Sequence, residues 1–414
     1  MLNDIVLAIS NFMYTYLLII ILLAGGFYFT FRTRFIQFRM FRESLRVVTE
    51  RPDRAGSVSS FQALMVSTAS RVGTGNIIGV SVAICIGGYG AVFWMWLIAI
   101  IGGATAFIES TLAQIYKRRN PETGESYGGP AYYIEAALHS RPLAMLFALS
   151  LIATYAGGFN MLCSFNLQST FSGYGFYNEG VTPWIIGGIA ALLTAFCVMG
   201  GGKRIIAVAS TLVPFMGGLY VLVALIVIVM NLELVPTVFA RIFQGAFDFQ
   251  AIFAGFTGSA LMLLCSGVEP TEAAQGAPYV QSALSAVFGS VGPIFITVAM
   301  VLFAFTTLIG NLYYVDNALA YLMKKVPSKQ FMVVFRIVAV LLIFVGAGLS
   351  IDLVWNLADV LMGVMVMINI PVIFILSRPA LAALKDYAAQ RKMGRNPVFK
   401  AASIDLKEKT DYWN

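Results

Sequence analysis

The chain has 414 residues, of which 59% are hydrophobic and only 11% are charged, and its mean hydropathy is +0.82. Because soluble domains carry about 25% charged residues, this composition excludes an ordinary soluble domain and indicates a polytopic membrane protein. The formal net charge of +7 does not indicate a nucleic-acid-binding protein, since the basic residues cluster in the loops between apolar segments.

Ten apolar segments have about the length that a helix needs to cross a bilayer. The first has no basic region before it, so it is interpreted as a membrane span and not as a removable signal peptide. The ten predicted segments are 14–31, 61–86, 91–115, 143–167, 184–200, 205–230, 251–267, 291–321, 331–349 and 353–376. The pattern predicts an all-α polytopic membrane protein.

The distribution of Lys and Arg predicts the orientation of these spans. Seven arginines lie between residues 32 and 54 and place the loop after the first span on the cytoplasmic side. Successive loops should lie on alternate sides of the membrane. This order fails at 251–267, because both flanking loops look external although one segment lies between them. This segment is a re-entrant hairpin, or the charge rule fails here, or the chain lacks a piece. We expect the orientation of the later spans to be preserved.

Polar residues interrupt the second span at its middle. Gly73 and Gly75 flank Thr74, where a helix is weakest, and Arg71 and Asn76 lie beside them. The pattern predicts a broken helix that presents its half-helix ends to a substrate and an ion. The alternative is a span whose glycines allow tight packing on a neighbour. Because a charge inside a bilayer is costly, we expect Arg71 to face the bundle interior, near a carboxylate or helix-end carbonyls.

The cysteines and the single histidine do not suggest a metal site. The four cysteines lie in apolar segments and are predicted to be small core residues, without disulfides or metal ligation. These residues are Cys85, Cys163, Cys197 and Cys265. His139 lies near a basic loop and cannot form a histidine cluster alone.

No motif in the apolar segments indicates an enzyme. The sequence has no His–Glu metal motif, no Gly-x-Ser-x-Gly and no close pair of aspartates inside a span. Asp316 and Asp359 are isolated and are predicted to have structural roles. Glu109, in the inner part of the third span, is interpreted as a snorkelling or loop-paired carboxylate, the alternative being a buried one.

Five stretches carry a resemblance to a known family. They are Ser-Arg-Val-Gly-Thr-Gly-Asn-Ile-Ile-Gly at 70–79, Gly-Gly-Tyr-Gly-Ala-Val-Phe-Trp-Met-Trp at 87–96, Gly-Gly-Pro-Ala-Tyr-Tyr at 128–133, Phe-Ala-Phe-Thr-Thr-Leu-Ile-Gly at 303–310 and Asp-Leu-Val-Trp-Asn-Leu-Ala-Asp at 352–359. Together they resemble the alanine or glycine:cation symporter family, also called the sodium:alanine symporter family. They extend over almost the whole chain in the family's order.

This resemblance implies the leucine-transporter fold, with two inverted five-helix repeats and broken first and sixth core helices. A transporter domain would occupy 1–380, with 14–31 as an extra N-terminal span, and 381–414 would form a basic cytoplasmic tail. Core helices one to the first half of six would lie in 61–260. The end of core helix seven to core helix ten would lie in 261–376.

The chain departs from the family at the sixth core helix. The family's Ser-Asn-Glu-Ala-Gly motif is missing, together with most of the seventh helix, so the chain has about one apolar segment fewer than its relatives. The orientation conflict falls at the same place. We therefore predict that 251–267 does not reproduce a normal sixth core helix followed by a seventh.

The function that the resemblance implies is sodium-coupled symport of a small neutral amino acid by alternating access. The expected partners are that amino acid, the co-transported sodium ion and the lipid bilayer, with no nucleic acid. The chain is expected to be a monomer in the cytoplasmic (inner) membrane and not an enzyme. The alternative is a transport-incompetent remnant that keeps the family's sequence but has lost part of its site.

The broken helix supplies most of the predicted site. The substrate carboxylate is expected at the backbone amides of the half-helix N-terminus, where partial positive charge gathers. The predicted substrate ligands are Gly73, Thr74, Gly75, Asn76 and Asn311. A hard cation prefers several oxygen ligands. The predicted sodium ligands are the carbonyls of Ala69 and Val72 and the hydroxyls of Thr306 and Thr307, and no other metal is expected.

Two of these assignments have alternatives. The hydroxyls of Thr306 and Thr307 could bond within their own helix, and the resemblance favours the sodium site. Asn311 could instead join helices by hydrogen bonds. Many members of the family carry tryptophan where Asn311 lies. Glutamine, a larger amino acid with an amide, therefore joins alanine and glycine as a predicted substrate.

Overall fold

Long apolar helices make up most of the fold. The computed structural model describes residues 7–10, 12–50, 58–119, 126–247, 260–271, 275–325 and 327–413. Among these residues, six helices are long and apolar enough to cross a membrane, and one bent helix pair is a seventh candidate span. Shorter apolar helices lie at Tyr16–Arg32 and Thr182–Val198. The prediction of an all-α polytopic membrane protein is confirmed.

Between residues 12 and 169, the described part of the chain forms nine helices and a small hairpin. The helices are α1 (Ile19–Arg32), α2 (Ile36–Arg39), α3 (Phe41–Thr49), α4 (Ser60–Arg71), α5 (Gly75–Gly87), α6 (Gly90–Ile115), α7 (Pro130–Leu138), α8 (Arg141–Ile152) and α9 (Phe159–Ser169). A π-helical turn at Met13–Leu18 precedes α1, and another at Ala153–Gly158 joins α8 to α9. The antiparallel strands β1 (Arg118–Arg119) and β2 (Ser126–Tyr127) lie between α6 and α7.

The second half continues with helices of very different lengths. They are α10 (Thr182–Val198), α11 (Gly201–Met230), α12 (Val235–Gly245), α13 (Ala260–Leu264), α14 (Ala277–Phe288), α15 (Val291–Met323), α16 (Lys329–Ala347) and α17 (Ile351–Lys392). Short 3-10 turns lie at Leu232–Leu234 and Ala401–Ile404.

Local signals in the sequence determine where several helices begin. Ser59 Oγ accepts a hydrogen bond from Gln62 N at 3.1 Å, and Gln62 Oε1 accepts one from Ser59 N at 3.0 Å. This capping box satisfies amides that have no acceptor at the start of α4. Proline occupies the first turn of α7, α8, α10 and α14, where its missing N–H costs no helical hydrogen bond.

Two stretches that the sequence analysis treats as loops contain helices. α12 lies within 231–250 and packs against α6, and α14 lies within 268–289 and packs against α15. Both helices are too short to cross a bilayer, so a search for span-length apolar runs passes over them.

The structure also bears on two predicted boundaries. α17 continues through the end of the tenth predicted segment, at residue 376, as far as Lys392, which lies beyond the predicted start of the tail at residue 381. Residues 251–259 lie outside the described residues, so the path of that part of 251–267 stays a prediction. Its remainder includes α13, which packs against α5, α11 and α14.

Glycines allow α16 to lie close to α9 and α10. A Cβ atom built on Gly346 of α16 would overlap the Cα atom of Met161 on α9. One built on Gly187 of α10 would lie 2.5 Å from the Cβ atom of Ala347. Small residues of this kind let helix backbones approach in a membrane, where dispersion contacts rather than the hydrophobic effect hold helices together.

The four cysteines are all buried. Each is a free thiol and is at most 7% exposed. Cys163 Sγ lies 3.6 Å from the carbonyl oxygen of Ala304. The prediction that the cysteines are core residues without disulfides is confirmed.

The C-terminal tail contacts the end of α6 and the hairpin. Asp411 Oδ1 accepts a hydrogen bond from Arg118 Nη1 at 3.1 Å, and Trp413 Nε1 donates one to Gln114 O at 2.8 Å. Lys117 Nζ lies 4.7 Å from the centre of the Trp413 ring. An ammonium group over the face of an aromatic ring is attracted to that ring, so this cation–π contact holds the tail together with the hydrogen bonds.

A charged cluster joins α3 to the end of α17. Glu43 Oε1 lies 2.7 Å from Arg46 Nη2 and 3.0 Å from Arg391 Nε, and it accepts a hydrogen bond from Tyr387 Oη at 2.5 Å. The hydrogen bond from Arg46, followed by the one from Tyr387, lowers the pKa of Glu43 to about 2. The ionised carboxylate therefore helps to hold α3 against α17.

We expect Glu43→Gln to lower the melting temperature at pH 7. Because the pKa of Glu43 is depressed in the folded protein, its ionised form contributes stability above the ordinary pKa of 4.5, and this contribution is lost as the pH falls toward 2. Thermal unfolding, followed by tryptophan fluorescence, should show a difference in melting temperature between variant and wild type that becomes smaller below about pH 5. Glu233→Gln, at an exposed carboxylate, is the control. A gap of constant size down to pH 3 would contradict the prediction.

We expect Gly346→Ala to destabilise the protein by about 1–3 kcal/mol, because the added methyl group forces α16 away from α9. The loss is measured as a lower melting temperature in detergent. Gly217→Ala is the matched control, since a Cβ at Gly217 of α11 meets no atom within 4 Å. Equal melting temperatures for the two variants would show that the α9–α16 contact is not close.

Candidate functional site

The predicted break in the second span is present. α4 and α5 meet at an angle of 43°. Val72, with φ −100° and ψ 88°, leaves the helix, and its N–H donates to Thr68 O at 2.7 Å. The first helical hydrogen bond of α5 runs from Ile78 N to the carbonyl oxygen of Thr74 and is 2.9 Å long. At the start of α5, Asn76 N donates to Gly73 O and Ile77 N donates to Thr74 O, each at 3.1 Å. The last carbonyls of α4 have no amide partner from a following turn of their own helix.

α15 packs directly against this break. Thr307 Oγ1 donates to the carbonyl oxygen of Ala69 at 3.1 Å, and both residues are buried. A Cβ atom at Gly73 would overlap Thr307 Oγ1, and one at Gly310 would lie 2.9 Å from Ser70 N. Glycine at both positions allows the two backbones to approach, and this approach brings two predicted sodium ligands, Ala69 and Thr307, together.

The structure does not bring Thr306 to the same place. Its hydroxyl donates to Leu302 O at 3.0 Å and to Phe303 O at 3.1 Å, within α15, and lies 3.5 Å from Met216 Sδ on α11. For Thr306, the structure therefore agrees with the alternative interpretation, in which the hydroxyl bonds within its own helix. Val72, the fourth predicted sodium ligand, is the residue at which the chain leaves α4.

Asn311 joins three helices. Its Oδ1 accepts from Ser70 Oγ on α4 at 2.6 Å, and its Nδ2 donates to Asn160 Oδ1 on α9 at 2.9 Å. Asn311 is 1% exposed. Its amide therefore forms interhelical hydrogen bonds at the break. Asn76, on the other side of the break, donates from Nδ2 to Arg71 O at 3.0 Å.

Buried polar side chains of α9, among them a face formed by Asn160 and Ser164, complete the site and were missed by the sequence analysis. Asn160, Ser164 and Asn166 are at most 1% exposed, and Asn166 Nδ2 lies 3.5 Å from Thr74 Oγ1. Among the described residues, Asn160 Nδ2, Ser164 Oγ and Asn166 Oδ1 have no hydrogen-bond partner. Buried polar atoms of this kind normally have partners, so these atoms are available to a bound ligand.

The sequence did contain a signal for this face. Asn160 and Ser164 are separated by four residues inside an apolar segment, a spacing that puts two polar side chains on one side of a helix. Open space also adjoins the break, since a Cβ atom at Gly75 would meet nothing within 4 Å. The break, α9 and α15 therefore combine helix-end amides, carbonyls, amide side chains and a hydroxyl, which can bind a carboxylate and a hard cation.

Arg71 and Glu109 lie beside this site. The charge of Arg71 interacts with Glu109 and with Tyr155, and the Arg71 side chain is exposed. Glu109 is half-buried and accepts from Asn369 Nδ2 on α17 at 2.8 Å. The interpretation of Glu109 as snorkelling or loop-paired is wrong, because its hydrogen-bond partner lies on another apolar helix.

Comparison with known proteins identifies relatives along the chain. A model of the sodium:alanine symporter family matches residues 1–263 and 257–401. The amino-acid carrier protein AlsT of Bacillus subtilis is 36% identical over 464 residues, covering 99% of this chain and 97% of the relative. The probable sodium/glutamine symporter GlnT of the same species is 36% identical and covers 94% of this chain and 91% of the relative. The sodium/alanine symporter AgcS of Methanococcus maripaludis is 30% identical and covers 93% and 97%.

These alignments are longer than the chain. The alignment with AlsT spans 464 positions and this chain has 414 residues, so at least 50 aligned positions have no residue here. The family matches over 1–263 and 257–401 cover well over half of the chain. The chain therefore belongs to the sodium:alanine symporter family, whose members are membrane transporters and not enzymes.

Proposed function

We propose that this protein performs sodium-coupled symport of a small neutral amino acid across the cytoplasmic membrane by alternating access, with the inverted-repeat fold of the leucine transporter. The observation that carries the proposal is the contact of α15 with the helix break, where the Thr307 hydroxyl lies 3.1 Å from the carbonyl oxygen of Ala69. A broken helix beside an unbroken one is the usual architecture for an ion and a substrate in such transporters.

The sodium ion would bind between the two helices. When the Thr307 O–H turns away from Ala69, both oxygens can face the cation, and the Val72 carbonyl at the end of α4 adds a third. Thr306 is a weaker candidate, because its hydroxyl lies against its own helix and Met216 of α11, and not against α4. Oxygen ligands without a fixed cage suit a cation that must be released again.

The amino acid would bind at the start of α5. Its carboxylate would accept hydrogen bonds from the amides of residues 73–75, where the helix dipole is positive. The unpartnered Asn160 Nδ2 and Asn166 Oδ1 would provide a donor and an acceptor for the remaining polar groups. Because the side-chain amides of Asn160 and Asn166 each have an unpartnered atom, an amino acid with an amide, such as glutamine, joins alanine and glycine as a substrate. Relatives of this chain are named for alanine and for glutamine.

The second candidate is a remnant that binds ligands but does not transport them. The two family matches overlap at 257–263, and the alignment with AlsT leaves at least 50 positions unfilled. The alignment supports an omission, and the break between the two family matches favours the sixth and seventh core helices as its place, where the sequence also lacks the Ser-Asn-Glu-Ala-Gly motif. Without the half-site of the sixth helix, the substrate would be held from one side.

Binding and transport, measured separately, distinguish the two candidates. Calorimetry with alanine or glutamine, in sodium and in potassium buffer, should show sodium-dependent binding. Uptake of the same amino acids into proteoliposomes under a sodium gradient, measured beside AlsT as an intact-length control, then separates the two candidates, because the symporter transports the amino acid and the remnant only binds it. Robust sodium-driven uptake would overturn the remnant and place the missing half-site elsewhere. Absence of sodium-dependent binding would overturn the symporter site itself.

We expect Thr307→Ala to raise the sodium concentration needed for half-maximal amino-acid binding by about tenfold, or about 1.4 kcal/mol, because one oxygen ligand is lost. Thr307→Ser keeps the hydroxyl and should behave like the wild type. The measurement is a sodium titration of binding, which does not require transport. An unchanged sodium dependence in Thr307→Ala would remove this residue from the ion site.

A further inference from the structure

The stretch at 352–359 near the start of α17 has no role in the site described so far. Its aromatic residue, Trp355, packs against a buried cluster that includes Met161 and Leu162 of α9. Among the described residues, Trp355 Nε1 is buried without a hydrogen-bond partner. A buried indole N–H usually has an acceptor, so this donor is available to a ligand.

Trp355 lies over the face of α5 that adjoins the open space at the helix break. Gly75 and Gly79 are four residues apart, so they share one face of α5. A Cβ atom at Gly75 would meet nothing within 4 Å, whereas one at Gly79 would lie 3.2 Å from Trp355 Cη2. At 1.5 Å per residue, Gly79 is about 6 Å further along α5 than Gly75. The Trp355 ring therefore bounds the open space about one helical turn beyond the break.

The unpartnered polar atoms around this space lie on two helices that pack together. α9 carries Asn160 Nδ2, Ser164 Oγ and Asn166 Oδ1, and α17 carries Trp355 Nε1. α9 and α17 contact each other directly, and Asn166 Nδ2 lies 3.5 Å from Thr74 Oγ1 at the break. A ligand that binds at the break therefore has amides and a hydroxyl of α9 beside it and an indole donor at its far end.

The distance along α5 matches the length of a particular class of amino acid. In the proposed site, the carboxylate binds at the amides of residues 73–75, and a side chain that extends along α5 reaches toward Trp355. In glutamine, five bonds of about 1.2–1.5 Å separate the α-carboxyl carbon from the side-chain carbonyl oxygen, so the extended molecule spans about 6 Å. Alanine ends well short of this height. Because the indole N–H is a donor only, it fits the carbonyl oxygen of a side-chain amide.

We propose that Trp355 Nε1 donates a hydrogen bond to the side-chain carbonyl oxygen of the bound amino acid, and that the site therefore selects glutamine over an amino acid of equal length without an acceptor. This inference rests on the proposed amino-acid site at the break. An apolar side chain leaves the buried N–H unpaired, and this penalty falls on the apolar substrate alone. One neutral hydrogen bond corresponds to a preference of about tenfold.

The test measures sodium-dependent binding of two amino acids to the purified full chain by calorimetry. Norleucine is unbranched, apolar and nearly as long as glutamine, and we expect the wild type to bind glutamine about tenfold more tightly. Trp355→Phe keeps an aromatic ring and removes the donor. It should weaken glutamine binding about tenfold and leave norleucine binding unchanged. Trp184→Phe is the matched control, because Trp184 packs on Phe344 of α16, and it should keep the wild-type preference.

Each other result overturns the assignment of Trp355. Equal binding of glutamine and norleucine by the wild type does so without any variant, which keeps the test decisive if Trp355→Phe fails to fold. Equal weakening of both amino acids in Trp355→Phe would make the ring a packing element, and an unchanged preference would remove its N–H from the site. Absence of sodium-dependent binding of any amino acid, alanine included, would overturn the proposed site itself. Binding of alanine without a preference for glutamine over norleucine would overturn this inference alone.

Discussion

The hydrogen bonding of the backbone at the helix break is the constraint on which the site depends. Where a span is interrupted among apolar helices, water cannot replace the lost helical bonds, so neighbouring helices must provide partners. α15 meets this need through Thr307, whose hydroxyl reaches the carbonyl of Ala69. α9 contributes Asn166 near Thr74, and Asn311 reaches Ser70. The same polar groups that stabilise an interrupted helix are suited to an ion and a zwitterion.

The sequence predicted the parts of this arrangement that are local. Composition gives the membrane class, and Gly73, Thr74 and Gly75 mark the break, because these residues weaken a helix by themselves. The contact between α4 and α15 has a different origin. Thr306 and Thr307 are adjacent and chemically identical, so only their rotation about the helix axis, about 100° apart, decides which one faces Ala69. The packing of the whole bundle fixes the rotation of α15 about its axis, and this rotation cannot be inferred from the sequence alone.

The other omissions from the sequence analysis have the same physical cause. Asn160 and Asn311 are 151 residues apart, and they meet only because α9 and α15 pack side by side. α12 and α14 are short helices whose stability comes from tertiary packing, so an apolar run of span length does not reveal them. The tail was predicted from its basic residues alone. Its aromatic residues, which lie over Lys117, give it an ordered position that charge counting does not predict.

The burial of every native thiol has a practical consequence for mapping the chain across a membrane. A water-soluble maleimide cannot reach the four natural cysteines while the protein is folded, so a cysteine-free background is unnecessary. Glu179→Cys and Lys325→Cys would each introduce one accessible thiol, on loops that lie before and after residues 251–267 and that charge places on opposite sides. The side from which each thiol reacts in sealed vesicles would report directly whether the chain crosses the bilayer an even or an odd number of times between these loops.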